Sequence, residues 1–483
     1  MTEACQPQIL KEGFDFRPIA ILAVIAVFLN NLDSGILNVC LPVLAKELNT
    51  TISLATWTVI GYGFTLTIFA LLAGRLTRRI GFRAAYFIAV SVFTGSCILC
   101  GFSGDVITLT FFRFIQGAGA GLLYALGPLV VRSFLPAEQQ GRWYGLITAA
   151  PCAALLFGQP VGGWIVTYFP WQNIFFFQVP FCLLALYYCF RFPKVPCDTS
   201  RIHPMDTQGI AALFAALFLF MLWMNQGDEL GWGSAASITL LILSIVILGY
   251  FIWHEKKTEF PVIELKLFGY RPYFRQLADV AVYLGLSQGT LFLLPFLLIT
   301  AFLMRPDITG TVLLIQPIVM VIVSVYGGFL TERYDPRGIT LAGWVLFLLS
   351  LFGFITGAFD QNLLLLGIAM FISGVSMGLY YPAAVKLTMD YAPQAYLEDA
   401  TDFFSFSRTI AQVLGVAVFE TIYSEIGSGA VGPIDIPRFL GSSSQELSRV
   451  SFLSAVTFAL ILAIVFLIAN GYGKIVGDRV IAR

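Results

Sequence analysis

The chain is a succession of apolar runs, each long enough to cross a bilayer. About 20 apolar residues span the hydrocarbon layer as a helix. Fourteen runs meet that length, at residues 18–44, 53–74, 83–103, 106–131, 143–168, 173–192, 208–226, 235–254, 273–301, 308–331, 338–358, 361–388, 402–424 and 449–471. A spanning segment must satisfy its backbone hydrogen bonds internally, so runs of this length are helices. Composition agrees: 58% of the 483 residues are hydrophobic and 12% are charged, against about 25% charged in soluble domains. The fold class expected is an all-α polytopic membrane protein with fourteen spans. The first sixteen residues lack the basic region and cleavage site of a signal peptide, so the first run is read as a true span. The formal net charge is zero, which gives no reason to expect a nucleic-acid partner. Of the two histidines, His203 lies in a polar loop and His254 at the polar end of a run, so no zinc pattern arises. The eight cysteines lie mostly within apolar runs and suggest no disulfide framework. No cofactor is expected.

An even span count puts both termini on one side, and Lys and Arg of short loops choose that side. With the N-terminus in the cytoplasm, inner segments hold most of the basic residues, including Arg75, Arg78, Arg79, Arg83, Lys256, Lys257, Lys266, Arg271 and Arg275. The outer loops hold Lys46, Arg305, Arg438 and Arg449. Both termini are therefore expected to be cytoplasmic. The chain also repeats. Gly74–Arg83, GRLTRRIGFR, follows the second span, and Gly328–Arg337, GFLTERYDPR, follows the tenth. If the tenth span is the counterpart of the second, residues 1–200 form one six-helix bundle and 261–483 another. Residues 201–260, holding spans seven and eight, are then an inserted pair. Repeated bundles around a midplane site are a transporter architecture.

Charges at membrane depth carry the functional argument. Arg113 lies about 10 Å into the fourth span at 1.5 Å per residue. Its guanidinium stays charged at ordinary pH and costs about 3 kcal/mol at the bilayer centre. It is either a snorkelling residue or a buried charge awaiting a carboxylate. Asp33, within Asn30–Asn38, lies about 22 Å along the first span, at a depth comparable to Arg113. The two are the most plausible pair in the first bundle. The pair either fixes two helices statically or couples transport to protons, since pairing and isolation push a carboxylate in opposite directions. Asp279 in the ninth span reads as an interfacial residue or as part of a path. Glu420 in the thirteenth reads as a solvated helix end or as part of a path. Asp402 and Arg408 read as inner-surface charges. Asn38, Trp57, Tyr62, Gln116, Tyr124 and Gln288 stand on candidate path helices, where aromatics could hold hydrophobic or cationic ligands or simply pack. Gly117, Gly119 and Gly121 permit close helix approach. Gly158, Pro160, Gly162 and Gly163 crowd the fifth span with breakers that bend it or let it pack closely.

Together these residues resemble the major facilitator superfamily, in its fourteen-span drug:proton antiporter branch. Leu32–Pro42, LDSGILNVCLP, is similar to that branch's first-span motif LDxTxxNxALP, with Gly35 and Cys40 replacing Thr and Ala. Leu109, Arg113, Gln116, Gly117 and Gly119 match the fourth-span motif. Gly158–Gly163, GQPVGG, is similar to the antiporter motif GPxxGG. Pro170–Pro180 is similar to WRWIFxxNxP, and Pro261–Phe268 to PLLPLRLF. In the family the fourth-span Arg is linked to proton coupling. The inner-loop motif GxLaDrxGrr, here spanning Gly74 to Gly81, carries an Asp that helps latch the bundles. Arg78 stands in that place and cannot play the part, although Glu332 in the repeat is a carboxylate at hand. The resemblance implies two six-helix bundles plus two extra helices. It also implies a proton-coupled exporter of small hydrophobic or cationic drug-like compounds, with Asp33 and Arg113 in the coupling. Partners would be a small-molecule substrate, protons and lipid, in the inner or plasma membrane, with the chain acting as a monomer. The rival readings are an exporter of one metabolite, siderophore or lipid, an importer, or a receptor that lost transport. No nucleotide loop, metal cluster or nucleophile–base set suggests an enzyme.

Overall fold

The computed structural model describes residues 17–135, 137–191, 206–258, 261–393, 396–427 and 444–481. His203, Arg438 and the side chain of Arg78 lie outside the described residues. Among the described residues, fourteen helices are long and apolar enough to cross a membrane. They are α1 (Arg17–Glu47), α2 (Ile52–Ile80), α3 (Phe82–Gly101), α4 (Val106–Phe134), α5 (Ala137–Tyr168), α6 (Asn173–Arg191), α7 (Thr207–Leu230), α8 (Ala235–Glu255), α9 (Arg271–Ala301), α10 (Pro306–Arg333), α11 (Pro336–Phe359), α12 (Leu363–Tyr391), α13 (Leu397–Gly427) and α14 (Ser444–Ile481). Each expected span is found, with ends a few residues from those set by hydropathy.

Local chemistry starts and stops these helices. The Thr51 hydroxyl caps α2 by accepting from the Leu54 N–H at 3.2 Å. Asp105 caps α4, accepting from the Thr108 N–H at 2.8 Å and its hydroxyl at 2.6 Å. Those two bonds hold the exposed Asp105 carboxyl below the usual carboxylate range. Gly81 separates α2 from α3 at φ 84°, a conformation that side chains with a Cβ resist. Its N–H bonds the Thr77 carbonyl at 2.9 Å, closing α2 as α3 begins.

The chain divides into two compact units. One holds the chain through Phe214 with Lys257–Val262 and Arg305–Gly310. The other holds Ala215–Lys256, Ile263–Met304 and the chain from Thr311 onward. In the first unit α4 packs between α2 and α3, and α1 packs against α5, α4 and α6. The second unit repeats the scheme: α12 packs with α10 and α11, and α9 packs against α13, α12 and α14.

Small residues make these contacts close. A Cβ at Gly117 or Gly121 would collide with the α2 backbone at Tyr62 or Leu66. One at Gly119 would stand 2.9 Å from the Ala89 carbonyl oxygen of α3. On α5, a Cβ at Gly158 would lie 3.0 Å from the Leu32 carbonyl oxygen, and one at Gly162 2.7 Å from that of Ile36. Gly163 abuts the Pro306 backbone, and Gly310 abuts Gln159 and Pro160. The second unit has its own set. Gly374 and Gly378 press on α10 at Gln316 and Met320, as Gly117 and Gly121 press on α2. Gly285 meets Gly415 as Gly35 meets Gly158. Gly74, by contrast, borders open space.

Helices α7 and α8 lean on α13 and on each other. Asn225 of α7 donates to Glu420 at 2.6 Å, Thr421 donates to the Met224 carbonyl at 3.1 Å, and Trp232 donates to Glu425. Ser244 of α8 bonds the Ala216 carbonyl of α7 at 2.9 Å.

Overpacking at a helix crossing costs about 1–3 kcal/mol. Gly119→Val is expected to lose about that much stability in a denaturation series on detergent-solubilised protein. Gly74→Ala is expected to stay within about 0.5 kcal/mol of wild type, as surface substitutions do.

Candidate functional site

A polar cluster sits inside the first unit, built from five of its helices. Asp33 of α1 and Arg113 of α4 form a salt bridge at 2.6 Å, each only 1% exposed. Both lie on buried faces of their helices. The Arg113 Nε donates to the Thr58 carbonyl of α2 at 2.9 Å. Its Nη1 donates to the Gln116 Oε1 at 2.7 Å as well as to Asp33 Oδ2. The Tyr62 ring lies under the guanidinium, 4.0 Å from its carbon, and the Phe175 ring lies 6.0 Å away.

The other Asp33 oxygen is held by amides. Gln116 Nε2 donates to Oδ1 at 3.2 Å, and Gln178 Nε2 of α6 donates to it at 3.0 Å. Both amides have fixed orientations. Gln116 must turn its oxygen to Arg113, and Gln178 also donates to the Ile174 carbonyl at 3.3 Å. Cys97 of α3 accepts from Gln116 at 3.0 Å. Asn30 extends the network: its amide donates to the Ala120 carbonyl at 3.1 Å, and its oxygen accepts from the Tyr62 hydroxyl at 3.3 Å. A buried charge must be paired and hydrogen-bonded to be tolerated, and this pair is.

Among the residues singled out in the sequence, Asp33, Arg113, Tyr62 and Gln116 converge here. Trp57 does not join them; it is buried and stacks on Phe114 at 6.3 Å. Asn38 and Tyr124 are half-buried on α1 and α4. Sequence reasoning missed Gln178, Cys97, Asn30 and the Thr58 carbonyl. Gln178 had a signal, since it stands where the sixth-span motif writes Asn.

The second unit holds other candidates. Asp279 is 5% exposed and Glu420 fully buried. Gln288 is half-buried on α9 and Glu332 exposed at the end of α10. Glu420 is therefore not a solvated helix end, because α7 covers it through Asn225. Arg408 is not a surface charge either. α13 begins at Leu397, which sets Arg408 about three turns in. Its side chain is half-buried and donates to the Tyr381 hydroxyl at 2.7 Å. Asp402 remains exposed.

A profile of the Major Facilitator Superfamily matches residues 23–416 and 277–480. The chain belongs to that superfamily. It is 27% identical over 411 residues to the riboflavin transporter RibZ of Clostridioides difficile, covering 84% of this chain and 88% of that protein. It is 28% identical over 416 residues to the multidrug resistance protein Stp of Mycobacterium tuberculosis, covering 85% and 76%. It is 25% identical over 420 residues to the multidrug export protein EmrB of Escherichia coli, covering 86% and 81%. Proteins named for multidrug export thus stand among its relatives, as the motifs led us to expect. Among solved structures, a D-xylose–proton symporter aligns with TM-score 0.61 at 15% identity, covering 92% and 96%. A POT family transporter in complex with 5-aminolevulinic acid aligns with TM-score 0.67 at 12% identity, covering 93% and 95%. These share the fold. The protein is a multi-pass membrane transporter of small molecules and not an enzyme.

Removing one member of a buried pair strands the other charge and costs about 3–5 kcal/mol. Asp33→Ala is expected to lose about that much stability. Asp33→Ala with Arg113→Met is expected to lose less than the sum of the single changes. A double-mutant cycle on the detergent-solubilised protein measures the difference.

Proposed function

We propose that this transporter is a proton-coupled exporter of small hydrophobic or cationic compounds, working by alternating access. The observation that carries the reading is the buried Asp33–Arg113 pair and its attachment to five helices. A proton on Asp33 would remove the charge that Arg113 answers. Arg113 would keep the Thr58 carbonyl, the Gln116 oxygen and the Tyr62 face but lose its counter-charge, and that uncompensated charge would favour a conformation in which the guanidinium is answered differently. The amides of Gln116 and Gln178 would then face a neutral acid, and the helices carrying them would be freer to shift. A proton and a conformational change are linked in this way. A ligand moves such an equilibrium only by its differential affinity for the two states.

The relatives named for multidrug resistance and export support a drug-like cargo. One specific metabolite is the second reading, favoured by the relative named as a riboflavin transporter. The excess of Lys and Arg in alternate short loops supports cytoplasmic termini in an inner or plasma membrane. The repeated packing scheme supports six-helix bundles at 1–200 and 261–483 with an inserted pair at 201–260. The chain is proposed to work as a monomer.

The test is proton movement in proteoliposomes under an imposed pH gradient, on adding a panel of lipophilic cations together with riboflavin. Proton movement driven by several unlike cations, and lost in Asp33→Asn, is the expected result. Movement driven by riboflavin alone would favour the single-metabolite reading. Movement that survives in Asp33→Asn would overturn Asp33 as the coupling group.

A further inference from the structure

The second unit has a buried carboxylate of a different kind. The repeated packing gives the equivalences. With Gly35 of α1, which meets α5, matched to Gly285 of α9, which meets α13, Tyr283 occupies the place of Asp33. With Gly117 and Gly121 matched to Gly374 and Gly378, Met370 occupies the place of Arg113. These positions of the second unit therefore hold no copy of the ion pair. The nearest carboxylate to them along α9 is Asp279, one turn before Tyr283.

Asp279 sits against an aromatic stack. Its Oδ1 accepts from the Trp344 Nε1 at 3.1 Å, and its Oδ2 accepts from the Tyr380 hydroxyl at 2.7 Å. Tyr283 stacks on Tyr380 with centroids 3.7 Å apart, and meets Trp344 edge-on at 5.1 Å. The Tyr283 hydroxyl is 2.7 Å from Ser376, which donates to the Gly343 carbonyl at 2.7 Å. Tyr283 and Tyr380 are fully buried and Trp344 is 3% exposed. Rings in contact at that spacing leave no slot for an organic cation. A proton needs no volume.

The hydrogen-bond roles separate this site from Asp33. The indole N–H can only donate, so it fixes Oδ1 as an acceptor whether Asp279 is charged or neutral. The Tyr380 hydroxyl can donate or accept. It donates to the carboxylate, and by rotating it accepts from the acid. Asp279 is hydrogen-bonded in both states with no helix displaced. At Asp33 every named partner (Arg113, Gln116, Gln178) donates to the carboxylate, so a proton there finds no acceptor among them.

We propose that Asp279 is a second proton-binding site, taking up and releasing one proton through Oδ2 with Tyr380 as its reversible partner. The proton comes from water; an O–H bond forms on the carboxylate and none breaks in the protein. The inference rests on the proton-coupled reading and adds a second site to it. Other charged groups near Asp279 are few. On α9 the exposed Arg275 lies one turn earlier, beside the buried Gln276. On α13, the Tyr273–Ala400 and Gly285–Ala411 contacts set Arg408 within a turn of Asp279's level, with its Nη1 on Tyr381. On α12, Lys386 donates to the Thr331 carbonyl at 2.5 Å, and Asp390 lies a turn beyond. The nearest charge on α11 is Arg337 in its first turn, and α14 has none from Val450 to Ile468. Gln276 Nε2 has no hydrogen-bond partner among the described residues, which gives water a foothold one turn from the carboxylate.

The test is a pH-difference infrared spectrum of the purified full-length protein, read at the carbonyl stretch of protonated carboxylic acids. Wild type is expected to show a titrating band with contributions from both carboxyls; the part that remains in Asp33→Asn is expected to be lost when Asp279→Asn is added. Asn keeps an acceptor for Trp344 and a donor for Tyr380, so this variant should fold. Tyr380→Phe should shift the band and its midpoint without abolishing it. An unchanged band in Asp279→Asn would overturn the proposal. In proteoliposomes, Asp279→Asn should halve the number of protons moved per cargo molecule; an unchanged ratio would also overturn it. If wild type moves no protons with any cargo, the coupled reading fails, and the infrared band still decides whether Asp279 binds a proton.

Discussion

The buried pairing of Asp33 with Arg113 is the constraint on which the first unit depends. Neither charge belongs in an apolar interior. Each becomes tolerable through the other and through the amides and carbonyl around them. The pair therefore specifies where α1, α2, α4 and α6 sit as firmly as apolar packing does. Close crossings make this possible. The Gly117, Gly119 and Gly121 ridge lets α4 lie against the backbones of α2 and α3. That brings the Arg113 side chain within reach of the Thr58 carbonyl. Gly158 and Gly162 bring α5 onto α1 beside Asp33 in the same way. Small residues set the spacing, and the spacing sets the polar geometry.

The two units share a packing scheme and differ in their polar cores. The first carries an ion pair whose partners are all donors. The second carries Asp279 among reversible or neutral partners, with Tyr283 and Met370 where the pair would be. Chains built from internal repeats can keep a helix framework while their cores diverge, because the framework depends on small residues at crossings. Helix α7 shows a further difference. Asn225 and Trp232 tie α7 and its turn to Glu420 and Glu425 of α13.

Much of this was legible in the sequence. Span positions follow from apolar length, a one-dimensional quantity. The Asp33–Arg113 pair follows from cost, since two charges at similar depth leave few other solutions. The basic turns at Gly74 and Gly328 disclose the repeat because turn chemistry is local. The rest depended on tertiary placement. Gln178 is neutral and carries no penalty that demands a partner, so only its position above Asp33 reveals its role. Glu420 looked equally suited to solvent because nothing in the sequence says that α7 covers it. Arg408 was read as superficial because the start of α13 was set too late by hydropathy, Glu398, Asp399 and Asp402 having lowered the local average. Tyr283 and Tyr380 read as ordinary packing aromatics until the fold stacks them beside Asp279.

The central claim is that the Asp33 carboxylate exchanges a proton for the cargo. Its most direct measurement is the pH dependence of the purified protein's affinity for a lipophilic cation. If one proton competes with the cation, affinity should fall about tenfold for each unit of pH below the apparent pKa of the site. The account predicts that slope as the Asp33 contribution in wild type, so the slope in Asp33→Asn should be shallower by that amount. A slope of the same size in Asp33→Asn would contradict it.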